Sequence, residues 1–228
     1  KKNIQRSAVT INGSWNNQAK HLLTFNNPCI SDEELQFAQE EGKRKCFSDK
    51  INLCFVGRTD QNKGVERLIS ALKIMSSKSK LEHWINEINI IGGSNSDKEL
   101  ENRNSPQYLE INILGWLNRE KLNQIYSKSH FLILPTQSEG FPKVIPEAAA
   151  FGCIPVVTNV DPINQYIIHN NNGLLLKSSN TEDIMNCLFE IQNKCLDYKQ
   201  ISLSTMGLAH QFTFSHYISK LESEILND

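Results

Sequence analysis

From about residue 51 onward, short apolar runs alternate with stretches of helical period. "INLCFVG" (Ile51 to Gly57), "INIIG" (Ile88 to Gly92), "INILG" (Ile111 to Gly115), "HFLILP" (His130 to Pro135), "CIPVVT" (Cys153 to Thr158) and "GLLL" (Gly173 to Leu176) are rich in Ile, Leu and Val. Short, nearly continuous apolar runs of this kind mark strands covered on both faces. Between them lie "GVERLISALKIM", "NREKLNQIYSKS" and "PKVIPEAAAFG", which carry the helical period. The alternation predicts parallel βαβ crossovers, and so an α/β fold built on a doubly wound parallel sheet. After Leu176, "SSNTEDIMNCLFEIQNKC" opens with Ser179 and Glu182 at capping-box spacing. Helical pattern then continues to the C-terminus, predicting a helical tail against the sheet.

Residues 1 to 50 do not share this rhythm. They hold two short strand candidates, "SAVTI" and "HLLTF", then a Pro-bounded turn and "SDEELQFAQEEGK", where Ser31 and Glu34 form another capping box. The segment reads as a connector, with residues 51–228 forming the main domain. Neither internal repeats nor a long Gly/Ser or Pro-rich linker divides the chain.

With 228 residues, 39% of them hydrophobic, the chain can bury a sizeable core. A net charge of −1 and a pI near 6.7 give no basic surplus for nucleic acid or an anionic membrane. Any cation that matters must therefore act locally. Six cysteines (Cys29, Cys46, Cys54, Cys153, Cys187, Cys195) show neither C-x-x-C nor zinc spacing, which predicts reduced thiols in a cytoplasm. No stretch reaches the roughly 18 apolar residues of a membrane span, and peripheral membrane contact stays open. The histidines His21, His83, His130, His169, His210 and His216 are too scattered to suggest a metal site or a base.

Candidate chemistry belongs at the carboxyl ends of the parallel strands, where open α/β sheets bind ligands. In "GRTDQNKG", after the strand ending at Gly57, Arg58 and Lys63 place two cations on a glycine-bounded turn before a helix, a setting that suits phosphate. Ordinary solvated surface cations would read the same way. The loop lacks the G-x-x-x-x-G-K-[ST] of a P-loop, and neither it nor "IIGGSN" gives G-x-G-x-x-G, which argues against a dehydrogenase. In "EGFPKVIPEAAAFG", Pro146 belongs in the first turn of a helix beginning near Lys143. Glu139 then lies on the preceding loop and Glu147 within the first turns. Free N–H groups near Lys143, Val144 and Ile145 would make that helix start an anion site. A plain reading also fits: acids stabilise any helix N-terminus by about 0.3–1 kcal/mol. In "NVDPINQY", turn chemistry accounts for Asn159, Asp161 and Asn164.

Taken together, Gly57, Arg58, Lys63-Gly64, "INILGWL" and E-G-F-x-x-x-x-x-E-A resemble the donor-binding domain of retaining glycosyltransferases of the GT-B fold, family 4 (group 1), over about Leu53 to Asp183. The resemblance implies a Rossmann-like fold, no metal or other cofactor, and a nucleotide diphosphate sugar, UDP- or GDP-linked, as donor. It implies that Arg58 and Lys63 bind the diphosphate, that Glu139 faces the donor sugar and that Glu147 binds the ribose hydroxyls. Gly57 and the helix start at Lys143 and Val144 border the phosphates, main-chain N–H groups at Gly140 and Phe141 contact the sugar, and Trp116 lies by the base, although a Trp there equally suits packing. A sugar or lipid-linked acceptor would enter from an N-terminal domain that this chain lacks. Residues 1–50 then hold the end of that domain, and the chain is its C-terminal partner, inactive alone.

Each role has an independent physical basis. A diphosphate leaving group gains negative charge as the glycosidic bond breaks, and with no D-x-D pair to hold a metal, Arg58, Lys63 and the helix start must balance it. A carboxylate at Glu147 offers two acceptor oxygens to a vicinal diol. Pro142 departs from the family pattern, which often has glycine there, and removes one backbone donor to the sugar. Two other readings are a nucleotide-sugar-binding module without turnover and a nucleotide-sugar epimerase. The E-x7-E arrangement disfavours the second.

Overall fold

The computed structural model describes residues 8–47, 50–77, 84–93, 109–193 and 196–226. Its centre is a parallel six-stranded sheet of β3 (Ile51–Val56), β4 (Ile85–Ile91), β5 (Glu110–Leu114), β6 (Phe131–Leu134), β7 (Ile154–Thr158) and β8 (Leu174–Leu176), in the order β5-β4-β3-β6-β7-β8. From β3 the chain winds outward through β4 and β5, then returns past β3 to β6 and winds the other way. That reversal opens a crevice at the carboxyl ends of β3 and β6, the switch point at which such sheets bind ligands. β6 and β7 are buried at every position, because helices cover both faces.

One face carries α2 (Val65–Ser77) and α5 (Thr181–Gln192), which pack on each other; the other carries α1 (Asp32–Lys43), α3 (Arg119–Lys128), α4 (Val144–Ala150) and α6 (Tyr198–Ala209). Ala148, Ala149 and Ala150 are buried, so the small run allows close approach to α6 and β7, as their size suggests. Leu35 and Ala38 of α1 join the same core, and Ser31 and Glu34 form the expected capping box. β1 (Val9–Ile11) and β2 (Leu22–Thr24) pair in parallel as a separate ribbon.

Three expectations shift. β4 starts at Ile85, three residues before its apolar run, because Ile85 pairs with Ile51 while Asn86 and Glu87 interrupt the apolar pattern. The cap of α5 is Asn180, whose side chain accepts from the Asp183 N–H, while Ser178 donates to the Asp183 carboxylate at 2.6 Å. And α7 (Phe214–Leu221) does not lie on the sheet. It holds the N-terminal segment, with Lys220 donating to the Thr24 carbonyl at 2.7 Å and Tyr217 meeting Phe25 edge-on at 5.5 Å. Cys29, Cys54, Cys153 and Cys187 are free thiols; Cys195 and His83 lie outside the described residues. His130, at the foot of β6, serves structure: its Nδ1 accepts from the Asn52 N–H at 2.9 Å and its Nε2–H donates to the Cys46 carbonyl at 2.8 Å.

Candidate functional site

A cavity of about 510 Å³ opens at the crevice, lined by Gly57, Arg58, Lys63, Trp116, Arg119, Val144 and Glu147, among others. The loop after β3 enters it in a tight turn, with the Lys63 N–H bonded to the Asp60 carbonyl and carboxylate at 3.1 Å each. The turn closes on Gly64, at φ +80°, where an added Cβ would stand 2.4 Å from the Pro135 carbonyl oxygen. Only glycine meets both demands, so the helix start is drawn against the loop that follows β6. Asn62 fastens the two loops: its Nδ2 donates to the Ser138 carbonyl at 2.9 Å, and its carbonyl accepts from the Gln137 N–H at 2.9 Å. Arg67 adds bonds to the Gln61, Pro135 and Ser179 carbonyls.

Across that seam, Lys63 forms an ion pair with Glu139. Their side chains are 17% and 20% exposed, sheltered enough for the pair to hold both groups in place. Arg58 differs. It pairs with Asp60 at 3.1 Å but is 78% exposed, so water screens that contact and the guanidinium stays available to an arriving anion. Trp116 is 91% exposed at the cavity rim, which rules out the packing role that a Trp in that loop suggests.

Glu147 also lines the cavity, from the first turn of α4. Arg119 Nη1 bonds its Oε1 at 2.8 Å, and the Tyr126 hydroxyl donates to Oε2 at 3.4 Å. Burial raises the Glu147 carboxyl above the usual carboxylate range, opposed by Arg119, then Tyr126 and Lys143. For Arg119, burial works against the charge, but Glu147 and Glu34 outweigh it and hold the guanidinium cationic. Desolvation costs the carboxylate, 12% exposed, more than the guanidinium, 35% exposed, so the pair favours charge more firmly on arginine. Two partners leave part of the capacity of the carboxylate unused, since it has about four lone-pair sites.

The remaining expected residues divide. Val144 borders the cavity, whereas Lys143 is the exposed N-cap of α4 and makes no side-chain cap. Of the three N–H groups expected free at that helix start, that of Ile145 is taken by the Pro142 carbonyl at 3.0 Å, because the chain tightens into a turn before the helix. Phe141 buries its ring against Phe212, stacked at 4.8 Å, and Tyr166, leaving only its backbone to face a ligand. Gly140 is exposed, and a Cβ built there meets nothing within 4 Å. Asn164 bonds Asn159 at 3.1 Å, and neither lines the cavity, nor does Asp161. Arg119, Asn62 and Arg67 were not picked out by sequence pattern. Arg119 sits at the first position of a polar helix turn, where nothing local distinguishes it.

The family model described as glycosyl transferases group 1 matches residues 37–194. An uncharacterized glycosyltransferase of Methanocaldococcus jannaschii is 30% identical over 142 residues, covering 61% of this chain and 37% of that protein. CapM of Staphylococcus aureus, a capsular polysaccharide biosynthesis glycosyltransferase, is 24% identical over 149 residues, covering 64% of this chain and 37% of its own. This chain spans about 40% of the length of the curated relatives it matches. Among solved structures, the Anabaena protein HepE in complex with UDP-glucose superposes with a TM-score of 0.66 at 16% identity, over 90% of this chain and 57% of that one. The C-terminal domain of LpcC, a group 1 family protein of Francisella tularensis, superposes with a TM-score of 0.60 at 20% identity, over 82% of this chain and 96% of that one.

Proposed function

Because this chain belongs to the group 1 glycosyltransferase family, we propose that it is the donor-binding half of a retaining, metal-independent enzyme that transfers a sugar from a nucleotide diphosphate to an acceptor. One observation carries the reading: Lys63 and Glu139 meet across the switch point, with Arg58 and Glu147 on the walls of the same cavity. In this account Arg58 and Lys63 meet the diphosphate and stabilise the charge that develops on it as the glycosidic bond breaks. Donors fixed in place before the reaction do this without reorganising, which makes them effective. Glu147 accepts from the ribose hydroxyls with its unused lone pairs, and Trp116 stands beside the base. Glu139 faces the sugar, where its charge favours an oxocarbenium-like transition state, and the backbone at Gly140 and Phe141 borders the sugar.

The donor is a UDP- or GDP-sugar, a reading favoured by HepE having been solved with UDP-glucose. The acceptor, a sugar or lipid-linked glycan, enters from an N-terminal domain outside this chain, and polysaccharide synthesis is favoured by the likeness to CapM. Among the described residues no helix is long and apolar enough to cross a membrane. The test is transfer by the intact enzyme from UDP- and GDP-sugars in excess chelator, with the anomeric configuration of the product read by NMR. Transfer with retained configuration is expected; inversion, or loss of activity on chelation, would contradict the proposal.

Gly140→Ala offers a finer check on the sugar contact. The free chain has room for the methyl group, so stability should change by no more than about 0.5 kcal/mol. Affinity for the nucleotide sugar should nevertheless fall relative to that for the free nucleotide. Thermal unfolding and calorimetry of the one variant give both numbers; equal affinity losses for the two ligands would remove the sugar from this loop.

A further inference from the structure

Arg119 holds more than one partner. Besides Glu147 at 2.8 Å, its Nε bonds Glu34 Oε1 at 3.1 Å, and its Nη2 donates to the Cys29 carbonyl at 3.2 Å. Glu34 lies in the first turn of α1, and Cys29 precedes that helix. A single guanidinium thus ties the segment leading into the domain to the carboxylate on the cavity wall. Its planar fork can serve these divergent acceptors at once, which a lysine cannot do. Glu34 is already fixed from the other side, since its Oε2 accepts from the Ser31 N–H at 3.2 Å in the capping box. The two carboxylates compete for one cation, so a change at either alters the field at the other.

We propose that Arg119 is a positioning residue for Glu147, and that through Glu34 and the Cys29 carbonyl it couples the segment entering the domain to nucleotide binding. The coupling to binding rests on the reading of Glu147 as the ribose contact; the positioning does not. Any displacement of residues 29–34 that draws Arg119 away leaves Glu147 enclosed beside Tyr126 without its counter-charge. Such a carboxyl takes up a proton more readily and becomes a poorer acceptor for a diol. The other groups facing Glu147 do not replace the arginine. Tyr126 from α3 is held neutral by burial, then by Glu147 itself, and the Cys29 thiol is pushed up to about 12 by burial and then Glu147. Lys143, on the cap of α4, is exposed, and Arg58 and Lys63 stand elsewhere around the cavity.

Two variants move the field at Glu147 in opposite directions. Arg119→Gln removes the counter-charge, whereas Glu34→Gln removes its competitor and keeps the capping box, which accepts Gln as well as Glu. The side-chain carboxyl of Glu147, followed by carbon-13 NMR in the free chain, should titrate at higher pH in Arg119→Gln and at lower pH in Glu34→Gln. UDP and GDP affinity, measured by calorimetry from about pH 8 to about pH 5, should follow: about tenfold weaker in Arg119→Gln, with a steeper acid loss, and a shallower acid loss in Glu34→Gln. Arg119→Lys should fall between Arg119→Gln and the parent. If neither variant moves the Glu147 titration, the positioning role is overturned. If the titration moves in opposite senses while nucleotide affinity is indifferent to Glu147→Ala, the positioning stands, and both the ribose assignment and the coupling to binding fall.

Discussion

Lys63→Ala is expected to weaken binding of a nucleoside diphosphate to this chain by about tenfold to hundredfold, while Glu139→Gln is expected to strengthen it. A hydrogen bond to a charged group contributes about 1.5–3 kcal/mol, and each 1.4 kcal/mol is about tenfold in affinity. The opposite sign for Glu139 follows from the ion pair. A phosphate must compete with the Glu139 carboxylate for Lys63, and the two are like-charged, so a neutral amide removes competitor and repulsion together. Transfer by the intact enzyme should move the other way, falling about hundredfold or more in Glu139→Gln, the scale of one preorganised polar group. Calorimetry with UDP and GDP beside initial rates separates the two effects. Equal losses of nucleotide affinity in both variants would show that the pair acts only as a structural clamp between the loops.

Acidification is expected to remove about 3 kcal/mol of folding stability between pH 6.5 and about 4, through His130. Burial, and then the nearby Lys45, lower this imidazole from its ordinary value of 6.5 to about 4. The neutral ring suits its site: Nδ1 accepts from the Asn52 N–H, and Nε2–H donates to the Cys46 carbonyl. A second proton on Nδ1 would point at the Asn52 N–H and abolish that bond. Since the folded pKa is depressed, the unfolded chain binds more protons across this window, so stability is fully present above 6.5 and is lost as pH falls towards 4. Urea unfolding across this range, compared with His130→Gln, isolates the residue. The variant should be less stable at neutral pH but should lose about 3 kcal/mol less on acidification; parallel pH profiles would contradict the assignment.

The strands were legible because parallel strands covered on both faces need continuous apolar runs, and "HFLILP" and "CIPVVT" supply them. The loop cations and both glutamates were legible for another reason: their spacing is local, set by a turn after a strand and by the start of a helix. What sequence could not show is held by contacts between distant positions. Arg119 meets Glu34 across 85 residues, and Asn62 meets Ser138 across 76, and neither residue has an unusual neighbourhood in the chain. Residues 1–50 read as a connector because their strands are short and their rhythm is broken. In the fold, Leu35 and Ala38 lie in the main core and Glu34 in the network behind the cavity. The cap of α5 shows how close such readings run, since Ser178, Ser179 and Asn180 all carry a suitable oxygen and only the packed geometry selects Asn180.

The central claim is that the crevice at β3 and β6 is a nucleotide-sugar donor site that works without a metal. Its most direct test is calorimetric titration of this chain with UDP, GDP and ADP in excess chelator, repeated for Glu147→Ala. Binding of UDP or GDP in preference to ADP, weakened at least about tenfold in the variant, is the predicted result. Binding that appears only when a divalent metal is restored, or that is unchanged in Glu147→Ala, would contradict it.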